Sequence, residues 1–133
     1  MARDILGVIA GLAVWIAIAV VAGLIMRSAW SEYARVADAM TFTLPMMFAR
    51  LSIGALATVG AGWTAAVIAR RSVLATVTAG LLLVVAFVPQ HIILWNKFPV
   101  WYHLTFLISL VPLAYLGGQI SAPVTPPAAT GRA

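Results

Sequence analysis

Few side chains in this chain can do chemistry, and most of them gather in one short region. Its two histidines fall in the runs Val88-Pro89-Gln90-His91-Ile92-Ile93-Leu94-Trp95 and Trp101-Tyr102-His103-Leu104-Thr105. Imidazole can donate, accept, carry a proton or bind a metal. Beside the histidines lie an amide, Gln90, and the aromatic residues Trp95, Trp101 and Tyr102. Arg50, earlier in the chain, adds a permanent cation with five N–H donors.

Three kinds of chemistry suit this set. Trp and Tyr can form a belt at the level of lipid headgroups while His and Gln satisfy one another and Arg50 extends toward water. The same residues can instead hold a polar head, such as a lipid phosphate or a quinone carbonyl, between the aromatic rings. A haem held by His91 and His103 is the third possibility, since its two axial ligands come from opposite faces of the ring and often from different helices. The expectation carried forward is that His91, His103, Gln90, Arg50, Trp95, Trp101 and Tyr102 form one ligand site, with no cofactor or metal assigned to it.

Other chemistries are excluded or disfavoured by what is missing. The chain has no cysteine, so thiol–disulfide exchange and iron–sulfur ligation are impossible. The acids are Asp4, Glu32 and Asp38, all outside the long uncharged runs. A transporter that trades a proton for a cation needs an acid inside the membrane. These absences favour a protein that is not an enzyme.

The elements that position these groups follow from the spacing of the charges. Only 8% of the residues are charged and 64% are hydrophobic, with a mean hydropathy of +1.08. Such a chain cannot cover a water-facing surface, since soluble domains are about one quarter charged. About 20 apolar helical residues cross a hydrocarbon core roughly 30 Å thick. Uncharged or nearly uncharged runs of that length predict an all-α integral membrane protein, a four-transmembrane-helix bundle, with helices over residues 5–26, 44–69, 73–95 and 100–120. Pro45 suits a first helical turn, where its missing N–H costs nothing. Pro89 and Pro112 should bend the third and fourth helices. The first run follows Arg3 but is longer than a signal-peptide core, so it is expected to be retained. Residues 1–121 form one domain in this reading, and the Pro-rich tail 122–133 is expected to be disordered.

The first loop, 27–43, repeats Trp30, Tyr33, Ala37 and Met40 at helical spacing. It predicts a short helix lying in the membrane interface, with Trp30 and Tyr33 as anchors. Arg70 and Arg71 crowd the next loop, and basic loops favour the cytoplasmic side. An inner (plasma) membrane location with both termini in the cytoplasm is therefore expected. The sequence pI near 10.9 reflects loops beside anionic headgroups rather than nucleic-acid binding, because the cations form no stripe.

Small residues supply the packing signal. Gly7, Gly11, Ala19 and Gly23 recur at four-residue steps interrupted by Trp15, and Gly54, Thr58, Gly62 and Ala66 do the same in the second run. In lipid, small residues let helix backbones approach closely, so these two faces are expected to meet each other. They are equally suited to a foreign helix. Two functions follow: a small accessory or assembly subunit docking on a membrane-protein partner or on its own copies, or an independent binder or carrier of an amphipathic ligand at the histidine cluster.

Overall fold

A computed structural model describes residues 1–122. Five α-helices follow one another: α1 (Ala2–Ala29), α2 (Ser31–Ala37), α3 (Leu44–Ile68), α4 (Val73–Ile93) and α5 (Val100–Ile120), with a 3-10 turn over Trp95–Lys97. All but α2 are long and apolar enough to span a bilayer. Among the described residues there is no strand. The expected disordered tail lies almost wholly outside the described residues.

Helix ends obey local rules. Pro45 occupies the first turn of α3. Ser72 caps α4, its hydroxyl accepting the Ala75 N–H at 3.2 Å, one of the free donors at a helix start. At the other end of α3 the Arg71 N–H bonds to the Ala66 carbonyl at 2.6 Å. Arg70 and Arg71 take φ of 52° and 66° there, a left-handed termination that usually selects glycine. The bounds of two helices shift by two residues or more. α1 runs through Arg3, Asp4 and Arg27, because charges at a helix end can reach the headgroup level without breaking the helix. α4 stops at Ile93, and Trp95 belongs to the tighter turn that follows.

Neighbouring spans run antiparallel, while α3 and α5 run parallel. α3 sits between α1 and α5 and makes its broadest contacts with those two. Close approach explains both seams, but the pairing differs from the expected one. A Cβ on Gly7 or Gly11 would stand 2.7 Å from the carbonyl oxygens of Ala65 and Ala61 respectively. So α1 presents glycines, and α3 answers with alanines. The glycines of α3 face α5: a Cβ on Gly62 would overlap the Ala114 carbonyl, and one on Gly54 would meet the Phe106 ring at 2.8 Å. The expectation that Gly54 and Gly62 oppose Gly7, Gly11 and Gly23 is thus corrected. One helix cannot offer a single stripe to two neighbours, and α3 uses separate faces.

Gly23 departs from the seam altogether, with nothing within 4 Å of an added Cβ. The reason lies two turns earlier. Trp15, buried in the middle of α1, donates its indole N–H to the Thr58 hydroxyl at 3.0 Å and packs on Phe87 of α4 at 4.7 Å. The Thr58 hydroxyl donates in turn to the Gly54 carbonyl. A side chain of this size works as a wedge. Below it the helices touch, and above it Ala19 and Gly23 are too small to close the gap.

Candidate functional site

The gap above Trp15 is a cavity of about 210 Å³. Every helix contributes to its wall. α1 gives the stripe Trp15, Ala19 and Gly23, α2 gives Tyr33, and α3 gives Arg50, Ile53 and Gly54. α4 gives Phe87, Gln90 and His91, with Leu94 just past its end, and α5 gives Tyr102, His103 and Phe106. Met40 and Phe98 close it from the loops. The wall is mostly apolar and aromatic, with a few convergent polar groups, as small-molecule sites commonly are.

Arg50 is the charged member. Its Nη1 donates to the Tyr33 hydroxyl at 2.7 Å and its Nε to the Tyr102 hydroxyl at 3.3 Å. The guanidinium carbon lies 4.6 Å from the centroid of the Phe42 ring and 5.9 Å from that of Phe98, within the range of cation–π attraction. Phenol oxygens and ring faces hold this cation. Among the described residues no carboxylate pairs with it.

The two histidines meet. Their Nδ1 atoms lie 2.7 Å apart, and the His103 Nε2 stands 3.3 Å from the Trp95 carbonyl oxygen. A carbonyl only accepts, so with both rings neutral the geometry assigns the His103 proton to Nε2 and makes its Nδ1 the acceptor. His91 must then donate from Nδ1, which leaves its own Nε2 as a bare lone pair. That nitrogen has no partner, yet no buried side-chain nitrogen or oxygen among the described residues lacks one. It is therefore accessible, and His91 borders the cavity. Aromatic packing fixes both rings: Trp95 stacks on His103 at 4.8 Å, and Phe106 stacks on His91 at 4.8 Å.

The contact leaves no room for a metal between the two Nδ1 atoms. A metal between two imidazole nitrogens needs them about 4 Å apart, two bonds of ~2 Å each. Nitrogens already in hydrogen-bond contact are not set for one, and no group of three or more metal-ligating side chains exists among the described residues.

Of the seven expected site residues, Arg50, His91, His103, Tyr102 and Gln90 line the cavity. Gln90 is exposed and makes no side-chain hydrogen bond, so it borders the site without joining its network. Trp95 acts from behind, through its carbonyl and its ring against His103. Trp101 is not part of the wall: it is 38% exposed and packs on Phe48. Tyr33, expected as a headgroup anchor, is instead 4% exposed and holds Arg50. Charge accounting points to that role: a cation set inside a span with no acid nearby needs oxygen partners, and the chain has only three tyrosines. Comparison with protein-family models, curated proteins and solved structures finds no match to this chain.

Proposed function

We propose that this chain is a membrane-embedded binding protein for an amphipathic molecule, whose polar head sits in the cavity between Arg50 and His91. One observation carries the reading: Arg50, the only cation among the described residues that lies inside a spanning helix away from its ends, and a buried histidine pair border the same aromatic cavity. Polar groups within a membrane span are costly and favour a functional role. The cavity is smaller than the 300–1,000 Å³ typical of drug-sized ligands, so it suits a head and the first carbons of a tail, the remainder lying along the apolar helix faces. Binding without turnover fits the set, since no carboxylate or thiol stands beside the pair to act with it.

The accessory-subunit reading drew on small-residue faces able to dock on a partner, on the lack of catalytic carboxylates and on the lack of a sizeable soluble portion. Gly7, Gly11, Gly62 and Gly117 are each within close approach of another helix of the same chain, so these small residues support packing within the bundle. The lipid-facing surface of α1 remains available to a partner through large residues such as Ile9, Ile16 and Val20. We place the chain in an inner membrane with both termini cytoplasmic, on the strength of the Arg70–Arg71 turn.

The test is purification of the full chain in a mild uncharged detergent, followed by native mass spectrometry. A lipid-like molecule retained at a fixed ratio, and lost when His91→Leu or Gly23→Leu is introduced, is the expected result. Stoichiometric recovery of a larger membrane protein, with the cavity empty, would support the accessory role instead.

A further inference from the structure

The charge of the ligand can be argued from what Arg50 lacks. Two of its five N–H donors reach phenol oxygens, Tyr33 and Tyr102, and three remain. The acids of the chain are elsewhere: Asp38 pairs with Arg27 at 3.0 Å, and Asp4 pairs with the amino terminus. Glu32 makes no ion pair among the described residues. A half-buried cation on a spanning helix thus keeps its full charge with neutral partners only. Taking a charge out of water is costly unless an opposite charge accompanies it. A quinone carbonyl would accept a hydrogen bond and leave that charge uncompensated, whereas an oxyanion supplies both.

His91 adds a second condition. Its Nε2 presents a lone pair, which repels a bare oxyanion and welcomes a hydroxyl hydrogen. The head must therefore offer an anionic oxygen to Arg50 and an O–H to His91 within one small cavity.

Resting on the binding function proposed above, we infer that the ligand is an anionic amphiphile whose head is a phosphate monoester. As the monoanion, its P–O⁻ faces Arg50 and its P–OH donates to His91 Nε2. As the dianion, it takes the same place once one proton has been bound at Nε2, and the charges of Arg50 and the imidazolium then balance it. The arrangement of hydrogens is identical in both descriptions.

The experiment is calorimetric titration of the full chain in an uncharged maltoside with four probes: dodecyl phosphate, methyl dodecyl phosphate, dodecanol and inorganic phosphate. Dodecyl phosphate is expected to bind at least tenfold more tightly than dodecanol and several-fold more tightly than the methyl diester, which has no P–OH. Inorganic phosphate is expected neither to bind nor to compete. Arg50→Gln should reduce dodecyl phosphate to the level of dodecanol. Should that variant fail to fold, the ranking of probes on the unaltered protein still decides. Equal affinity for dodecanol and dodecyl phosphate overturns the anionic head and leaves the binding function standing. Equal affinity for the monoester and diester overturns the contact to His91. Full competition by inorganic phosphate shows a site for the free ion and overturns the amphiphile. If no probe with a tail binds, the binding function itself fails.

Discussion

The Nδ1 atoms of His91 and His103 lie 2.7 Å apart, and the Trp95 carbonyl oxygen stands 3.3 Å from the His103 Nε2, a contact that with both rings neutral puts the shared hydrogen on His91. The two imidazoles are therefore expected in different tautomers, His91 protonated on Nδ1 and His103 on Nε2. Nitrogen-15 spectra of the chain labelled at histidine should show one ring of each kind. Two Nε2–H rings would mean that the pair is not formed.

Coupling within that pair is measurable. His103 is fully buried and His91 nearly so, and removing one partner leaves the other unsatisfied, at about 1–3 kcal/mol. His103→Leu should cost more than His91→Leu, because it strands the Trp95 carbonyl as well. A double-mutant cycle in detergent unfolding should give a coupling of about 0.5–3 kcal/mol. Additive losses would show two independent side chains.

The glycines separate into those that seal and those that leave space. Gly11→Leu and Gly62→Leu push side chains into the backbones of α3 and α5 respectively, and each should destabilise the bundle by about 1–3 kcal/mol or more. Gly23→Leu should leave thermal stability nearly unchanged, since nothing lies within 4 Å of its Cβ. It should weaken ligand retention all the same. A large loss of stability at Gly23 would contradict the open wall of the cavity.

Tyr33→Phe removes the acceptor closest to Arg50. Hydrogen bonds to charged groups contribute about 1.5–3 kcal/mol, and the loss should appear as a lower unfolding midpoint with α2 loosened from the bundle. Protease or hydrogen-exchange sensitivity confined to α2 and the loop after it is the signature to seek. An unaltered exchange pattern would mean that Tyr33 is held by packing on Phe42 alone.

The Arg70–Arg71 turn is strained by its side chains. Each non-glycine residue in the left-handed region costs roughly 1–2 kcal/mol, so Arg70→Gly is expected to raise stability by about 1 kcal/mol. The same change removes one cation from the loop on which the proposed orientation rests. Reporter fusions after residue 71 should read cytoplasmic in the parent chain, and an active phosphatase there would reverse the proposed topology.

The four spans were legible because charges are expensive inside a bilayer and the chain confines them to helix ends and loops, Arg50 excepted. Boundaries were less legible, as at α1, where Arg3, Asp4 and Arg27 lie within the helix. The meeting of His91 with His103 could be anticipated from their matched distance from one tight turn. What the sequence did not reveal was direction around each helix axis. Gly62 and Gly11 look equivalent in spacing, yet they face different neighbours, and only the three-dimensional crossing of α3 decides this. Trp15 looked like a break in a small-residue stripe, whereas it is the residue that makes the cavity. Tyr33 looked amphipathic in its own short helix, and its role follows only from the distant Arg50.

Because α5 provides Tyr102, His103 and Phe106, the cavity acquires its last wall from the last of the described helices. Helices that are stable singly in the bilayer associate afterwards. During insertion, α3 thus enters with Arg50 lacking one of its phenol partners, and α4 enters with His91 facing no second imidazole. A nascent chain arrested before residue 100 holds a membrane-embedded cation only partly satisfied, a state in which lipid headgroups are its nearest remaining partners. Insertion in chain order would thus leave the polar centre most open to the surrounding bilayer before α5 arrives to close it.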